Sequence, residues 1–325
     1  MALSYAQNLE DYHLSLVFEG RERGFYVDVG GGHPVADNVS FWFYLKGWSG
    51  LVVEPQRELA ALYRYIRPRD VAVSTLIGDR VGEAEFHRVD RLHGFSSMVE
   101  RHAEGAAAFG AGFRTERLPI TTLAALCEEH RVEAIDFLKV DVEGAEAEVL
   151  RGGDWRRFRP KVVLVEAIAP GSMAASHEDW EPLLLDNGYR FAFFDGLNRF
   201  YVADEAAELA HRFPAEKAPW DAVRHLYEFS RAPENAVHPD HALARALLEG
   251  FLAALPRLDH GLLVDLLRGA PEIRDSAAPE AALAALVGAA DASPEALSAA
   301  LETDRVRAAL GRIACCYDGG QLLDE

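Results

Sequence analysis

The chain has 325 residues, a formal charge of −19 at pH 7, and a hydrophobic fraction of 50%. This is ordinary globular composition, with length for one or two domains. The acidic balance, without a basic face carrying interleaved aromatics, argues against nucleic acid and anionic membrane surfaces as partners. The opening "MALSYAQNLEDYHLSLVFEG" lacks the basic flank and long apolar stretch of a signal peptide. No apolar run approaches the roughly 18–20 residues of a membrane span. Cys127, Cys315 and Cys316 have no metal-like spacing and fit reduced thiols, so a cytoplasmic protein is expected.

The first strong element is "FYVDVGGGHP", Phe25 to Pro34. An apolar run with Asp28 near its end reads as a buried parallel strand. Gly30, Gly31 and Gly32 follow as a loop, where the backbone can bend sharply or let a ligand come close. "DNVSFWFYLKGW" reads as a helix capped by Asp37 or Asn38. "GLVVEP" is a second strand ending in Glu54 and stopped by Pro55. "QRELAALYRYI" is an amphipathic helix ending near Pro68, and "DVAVST" is a third strand. The alternation predicts a parallel sheet covered on both faces.

From Leu76 to Pro119 the pattern weakens. "GEAEFHRV" has strand character, and with "HGFSSMVERHAEGAAAFGAGF" the region reads as a hairpin followed by a mobile excursion. Ser96 and Ser97 within it could close on a substrate or simply belong to a loop. Regularity then returns with "TTLAALCEEH", a helix capped by Thr121 or Thr122, and "AIDFLKVDVEG", a strand ending at Asp141. "AEAEVLRG" is a short helix, "KVVLVEAI" a strand carrying Glu166, and "HEDWEPLLLDNG" a further helix. "YRFAFFDGLNRFYVAD" makes two strands around the turn Asp195–Asn198, giving seven core strands. Beyond about Ala203 only helical periods remain. Residues 1–212 are expected to form the ligand-binding domain, and 213–325 an α-helical appendage suited to homo-oligomer formation.

A dinucleotide fingerprint wants a third glycine where Val35 stands. Here Asp28 precedes the glycines, and Glu54 at the next strand tip could accept both hydroxyls of a ribose. Acid, glycine loop and second acid suit a nucleoside joined to an amino acid, as in S-adenosylmethionine. Asp28 and the loop amides would then meet the zwitterionic end. The plainer alternative is a tight turn flanked by two surface carboxylates.

The stretches "SYAQNLEDYHL", "GFYVDVGGGHPVADNVSFWFYLKGWSGLVVEP", "RPRDVAVS", "IDFLKVDVEGAEAEVLRGGDW" and "FFDGLNRFYVA" run in order from Ser4 to Ala203. Through them the chain resembles the FkbM-type methyltransferases, a branch of the class I S-adenosylmethionine-dependent fold. The resemblance implies an α/β fold: a seven-stranded, mostly parallel, Rossmann-like sheet with an antiparallel last strand. It also implies methyl transfer to an oxygen. The "SYAQN…ED" opening and "DGLNRFYVA" ending look like the bacterial branch associated with surface glycans, which implies a sugar or glycan intermediate as substrate. Expected cofactor contacts are Gln7, Asp28, Gly30, Gly31, Gly32, His33, Asp37, Glu54, Pro55 and Ser74.

A sugar hydroxyl is far from ionised at pH 7, so transfer requires a general base or a metal. Candidates belong at the carboxyl ends of strands, which selects Asp141, Glu143 and Glu166. Asp141 is the first choice for the base. It could instead cap the "AEAEVL" helix, a role that fits Glu143 better. Glu166 beside Asp141 could hold Mg²⁺ through oxygen ligands, but two carboxylates without an obvious third ligand are thin support, and no metal is expected. Asp195, Asn198 and Arg199 offer acceptor, mixed and donor groups for substrate hydroxyls, though Asp-Gly and Asn are also ordinary turn formers. Gln7 and Asp11 could form a lid or cap the first helix. His33 could be a base, but a loop role is favoured. The alternatives to a glycan O-methyltransferase are an enzyme acting on a small natural product and a non-catalytic module sensing the cofactor. A nicotinamide oxidoreductase is disfavoured by the missing third glycine.

Overall fold

The computed structural model describes residues 3–89, 95–105, 111–169, 174–228 and 231–317, without the side chains of 314–317. Its central sheet has seven strands: β1 Phe25–Val29, β2 Ser49–Val53, β3 Val71–Val73, β4 Phe137–Val140, β5 Val162–Glu166, β6 Tyr189–Phe194 and β7 Asn198–Ala203. The spatial order is β6-β7-β5-β4-β1-β2-β3. Neighbours from β1 to β5 pair in parallel, and β7 runs antiparallel to both β5 and β6. The first five strands follow the order of a doubly wound nucleotide fold. The last two depart from it, because β7 inserts between β5 and β6.

The strands are apolar on both faces, as a parallel sheet covered twice requires. Val27, Val29, Leu51, Leu138, Val140, Val163 and Val165 face one core, beneath Leu126, Leu150, Trp180 and Leu184. Tyr26, Val52, Phe137, Leu164 and Phe200 face the other, beneath Leu14, Phe43 and Tyr63. The helix at Leu123–Glu129 starts as expected, with Thr122 Oγ1 accepting from the Ala125 amide at 3.1 Å.

The segment after β3 forms a second sheet of three strands, Leu76–Gly78, Gly82–Val89 and Phe113–Thr122. Residues 90–94 and 106–110 of the expected excursion lie outside the described residues. Its described part folds back: Ser97 pairs with His87 across an antiparallel bridge, and Glu100–Gly105 is a helix.

The chain divides into two compact units, 1–226 and 227–325. The structure thus draws the division at 226/227, against the 212/213 suggested by composition. Residues 213–226 belong with the first unit: Phe213 packs on Phe193 and Phe200, and Arg224–His225 pairs with Leu3–Ser4. The second unit has its own core around Leu252, Leu263, Leu283, Val287, Leu297 and Leu301. A chain stopped at Leu226 is expected to keep its sheet and melt cooperatively, and residues 227–325 alone to give a helical circular dichroism spectrum. Light scattering on the shortened chain reads whether the helical unit carries self-association. Loss of the sheet on truncation would show that the helices complete the first core.

Candidate functional site

The carboxyl ends of β1, β2, β4 and β5 open onto a cavity of about 520 Å³. The loop after β1 forms one wall. Gly30 has φ +77°, and a Cβ there would lie 1.7 Å from the Asp141 carbonyl oxygen, so only glycine fits. The loop is tied from behind at almost every polar group. Gly31 O accepts from Tyr63 Oη–H at 2.7 Å and from Asn38 Nδ2–H at 2.9 Å. Gly32 N–H donates to Glu54 Oε2 at 2.9 Å, and Gly30 O accepts from Lys139 Nζ at 2.5 Å.

Behind Asn38 stands Arg67, which is fully buried. Its Nε–H donates to Asp70 Oδ2 at 2.8 Å, Nη1 to Pro34 O at 3.2 Å and Asn38 Oδ1 at 2.9 Å. Nη2 serves Tyr26 Oη at 2.9 Å and Ser40 Oγ at 2.8 Å, and pairs with Asp70 at 2.7 Å. Asn38 Oδ1 also accepts the Phe41 amide at 2.8 Å, but the helix spans only Phe41–Leu45 with Ser40 at its N-cap, so the cap is neither Asp37 nor Asn38 as expected.

Of the residues expected to contact a cofactor, Gln7, Gly30, Gly31, Gly32, His33, Asp37, Glu54 and Pro55 line the cavity. Asp28 and Ser74 do not. Asp28 is fully buried, with Oδ2 accepting from Ser40 Oγ–H at 2.6 Å and Oδ1 facing Lys139 Nζ at 3.6 Å. Pairing of β1 with β4 sets Asp28 directly opposite Lys139, and the carboxylate faces that ammonium, which stands between it and the cavity residue Asp141. Ser74 Oγ–H donates to Pro55 O at 3.0 Å, and the wall there is made by Thr75, Leu76 and Ile77. His33 Nδ1 accepts the Val35 and Ala36 amides at 3.2 and 3.1 Å, which is a loop role. Glu54 accepts the Gly32 and Gln56 amides, and burial pushes its carboxyl up to about 7.

At the other end of the cavity, Asp141, Glu143 and Glu166 come together, with one oxygen of each within 4.8 Å of the others. Glu143 is thus a third carboxylate beside the expected pair, and the trio is spaced closely enough to share a cation. Asp141 Oδ2 is ion-paired with Lys139 at 3.2 Å. Burial, then repulsion from Asp141, raises both glutamates: Glu143 well above the usual carboxylate range, and Glu166 to about 11. The cap of the following helix is not Glu143. Glu146 Oε1 reaches back to the Val142 and Gly144 amides at 3.2 and 3.0 Å. Glu143 instead holds a left-handed backbone, φ 56°, a conformation that costs a non-glycine residue roughly 1–3 kcal/mol.

The expected substrate residues fall elsewhere. Asp195 Oδ1 accepts the Leu197 and Asn198 amides at 2.8 and 2.7 Å, and Asn198 Nδ2–H donates to buried Glu10 at 2.7 Å. These bonds shape the hairpin tip, where Gly196 and Leu197 are the residues that reach the cavity. Arg199 pairs with Glu181 at 2.9 Å beside Tyr201, away from the site. Asp11 is buried and accepts from Ser4 and the Tyr5 amide, so it clamps the N-terminal segment and is no lid. Lys139 was not singled out in the sequence, although a lone lysine within the apolar run "DFLKV" calls for a buried carboxylate partner.

A cavity over the tips of a mostly parallel seven-stranded sheet, walled by a glycine loop and carboxylates, is consistent with a methyltransferase fold. Residues 28–191 match the methyltransferase FkbM domain, and the chain belongs to that family. The domain marks it as a methyltransferase. No match was found among curated proteins. Among the described residues no helix is long and apolar enough to cross a membrane.

Arg67→Met is expected to lower stability by about 3–5 kcal/mol, because Asp70 then stays buried without its partner. Urea denaturation reads this directly. A loss below about 1 kcal/mol, within reach of an ordinary substitution, would contradict the bracing role.

Proposed function

We propose that the chain is an S-adenosylmethionine-dependent O-methyltransferase acting on a hydroxyl of a sugar or glycan intermediate. The observation that supports it is the polarity of the cavity. One end offers Glu54, the glycine loop and the Thr75–Ile77 wall; the other gathers Asp141, Glu143 and Glu166. The first end fits the cofactor. Glu54 would accept from the ribose hydroxyls, Leu76 and Ile77 would pack on the adenine, the loop, whose amides are engaged within the protein, would leave room beside it, and Gln7 would hold the amino-acid end. Bound there, S-adenosylmethionine supplies an electrophilic methyl group.

The chain's own residues do the rest. Asp141 takes the hydroxyl proton as the acceptor oxygen forms its new bond, with Lys139 fixing the carboxylate from the side. Glu143 and Glu166, which burial and then repulsion from Asp141 favour in their protonated forms, exchange hydrogen bonds with neighbouring hydroxyls. Asp28 acts one layer back, by holding Lys139. A cluster of this kind suits a polyhydroxylated acceptor and disfavours an anionic one.

Glu54→Ala is expected to weaken S-adenosylmethionine binding at least tenfold, since bonds to a charged acceptor are worth about 1.5–3 kcal/mol each. The pH dependence has a defined sign. Burial raises the free carboxyl to about 7, while hydroxyl donors favour its ionised form. Binding therefore releases a proton, and affinity should rise about tenfold from pH 6 to pH 8. Glu54→Gln should be weak and flat over that range. Calorimetry giving unchanged affinity in the alanine variant would remove the cofactor assignment.

Asp141→Asn keeps the size but cannot take a proton. Turnover should fall ~10²–10⁴-fold, with cofactor affinity nearly unchanged. If EDTA abolishes wild-type turnover and Glu166→Gln is as damaging as the Asp141 change, the trio works through a cation and Asp141 is not the base.

A further inference from the structure

We propose that Ser97 and His102 are positioning residues that lock the left-handed backbone of Glu143 and so deliver its carboxyl to the trio with Asp141 and Glu166. The proposal gives the segment between the strands Gly82–Val89 and Phe113–Thr122 a task, and it rests on the function proposed above. Ser97 Oγ–H donates to the Glu143 carbonyl at 2.7 Å, and His102 Nδ1–H donates to the same oxygen at 2.6 Å. A carbonyl accepts only, so Nδ1 must carry the proton. His102 Nε2 correspondingly accepts from Arg101 Nε–H at 3.3 Å. Two donors fill both lone pairs of one carbonyl and hold that peptide in a single orientation.

The next residue fits the same purpose. Gly144 has φ +100°, and a Cβ there would lie 2.0 Å from His102 Cε1 and 2.2 Å from Nδ1. The imidazole thus stands directly over the glycine, and the lock requires both. Ser97 is itself anchored. It is buried, exchanges backbone hydrogen bonds with His87 at 2.8 and 3.2 Å, and accepts the Val99 amide on its hydroxyl at 2.9 Å. Its neighbours Ser96 and Met98 line the cavity. One short segment therefore builds part of the wall and holds the backbone of an acidic residue beside it. A glutamate has no intrinsic preference for positive φ. Without the two donors the peptide can relax to negative φ, which swings the carboxyl away from Asp141 and Glu166.

The test compares wild type with Ser97→Ala, His102→Ala, His102→Asn and the Ser97→Ala/His102→Ala double variant. Crystal structures read the backbone of Glu143 without recourse to activity. In the double variant φ of residue 143 should turn negative and its carboxyl should leave the trio. His102→Asn should retain the wild-type geometry, because its Nδ2–H₂ replaces the lost donor. The single alanine variants each keep one donor and serve if the double variant does not fold; at least one should then show residue 143 displaced. A glutamate that keeps its left-handed backbone in every alanine variant obtained overturns the proposal, as does failure of asparagine to restore it. Calorimetry with S-adenosylhomocysteine separates this from the functional reading. Affinity should stay within about twofold across the series, and a larger loss would mean the segment supports the cofactor end instead. A wild type that binds no S-adenosylhomocysteine defeats the proposed function, while the crystallographic result on the lock stands by itself.

Discussion

The buried guanidinium of Arg67 is the point on which the ligand end of the sheet depends. It has five N–H donors and no way to shed its charge, so burial is tolerable only where every donor meets an acceptor. Asp70, Asn38, Ser40, Tyr26 and the Pro34 carbonyl meet that demand, and they come from both sides of the glycine loop. Asp70 in turn accepts the Gly50 amide at the start of β2. One side chain thereby links the first two strands, the loop and the helix that follows it. The loop keeps its shape because the cost of disturbing it is an unpaired charge in the core.

A second constraint is electrostatic. Five carboxylates, Asp28, Glu54, Asp141, Glu143 and Glu166, crowd the tips of four strands around the ammonium of Lys139. Burial, with repulsion from neighbouring carboxylates, raises Glu54, Glu143 and Glu166. Lys139 contacts Asp28, Asp141 and the Gly30 carbonyl, joining the glycine loop to the carboxylate trio. Coupling of this kind explains why a strand otherwise made of apolar residues tolerates a lysine at its centre.

Much of this was legible in the sequence, and the omissions have physical causes. Apolar runs broken by Gly30–Gly32, Glu54–Pro55 and Asp141 mark the strands and their tips, and carboxylates at tips of parallel strands face the ligand side. The direction of Asp28 was not legible. A strand buried on both faces has no alternation to show which way a polar side chain points, and only the pairing with Lys139 decides it. Arg67 beside Pro68 looks like an exposed helix end, because arginine is rarely fully buried. Asp195 and Asn198 carry the chemistry of a binding turn, but that same chemistry builds a hairpin tip, and the structure uses it so. Glu143 and Glu146 lie within one short stretch, and only the left-handed backbone at 143 separates the residue that ties down the loop before the helix from the one in the cavity.

The central claim is that this cavity seats an S-adenosyl nucleoside between Glu54 and the carboxylate trio. The most direct measurement is a crystal structure of the protein with S-adenosylhomocysteine. The account predicts the ribose hydroxyls within hydrogen-bond distance of the Glu54 carboxylate, the adenine against Leu76 and Ile77, and the sulfur turned toward Asp141. A ligand seated away from Glu54, or with its sulfur remote from the trio, would contradict it.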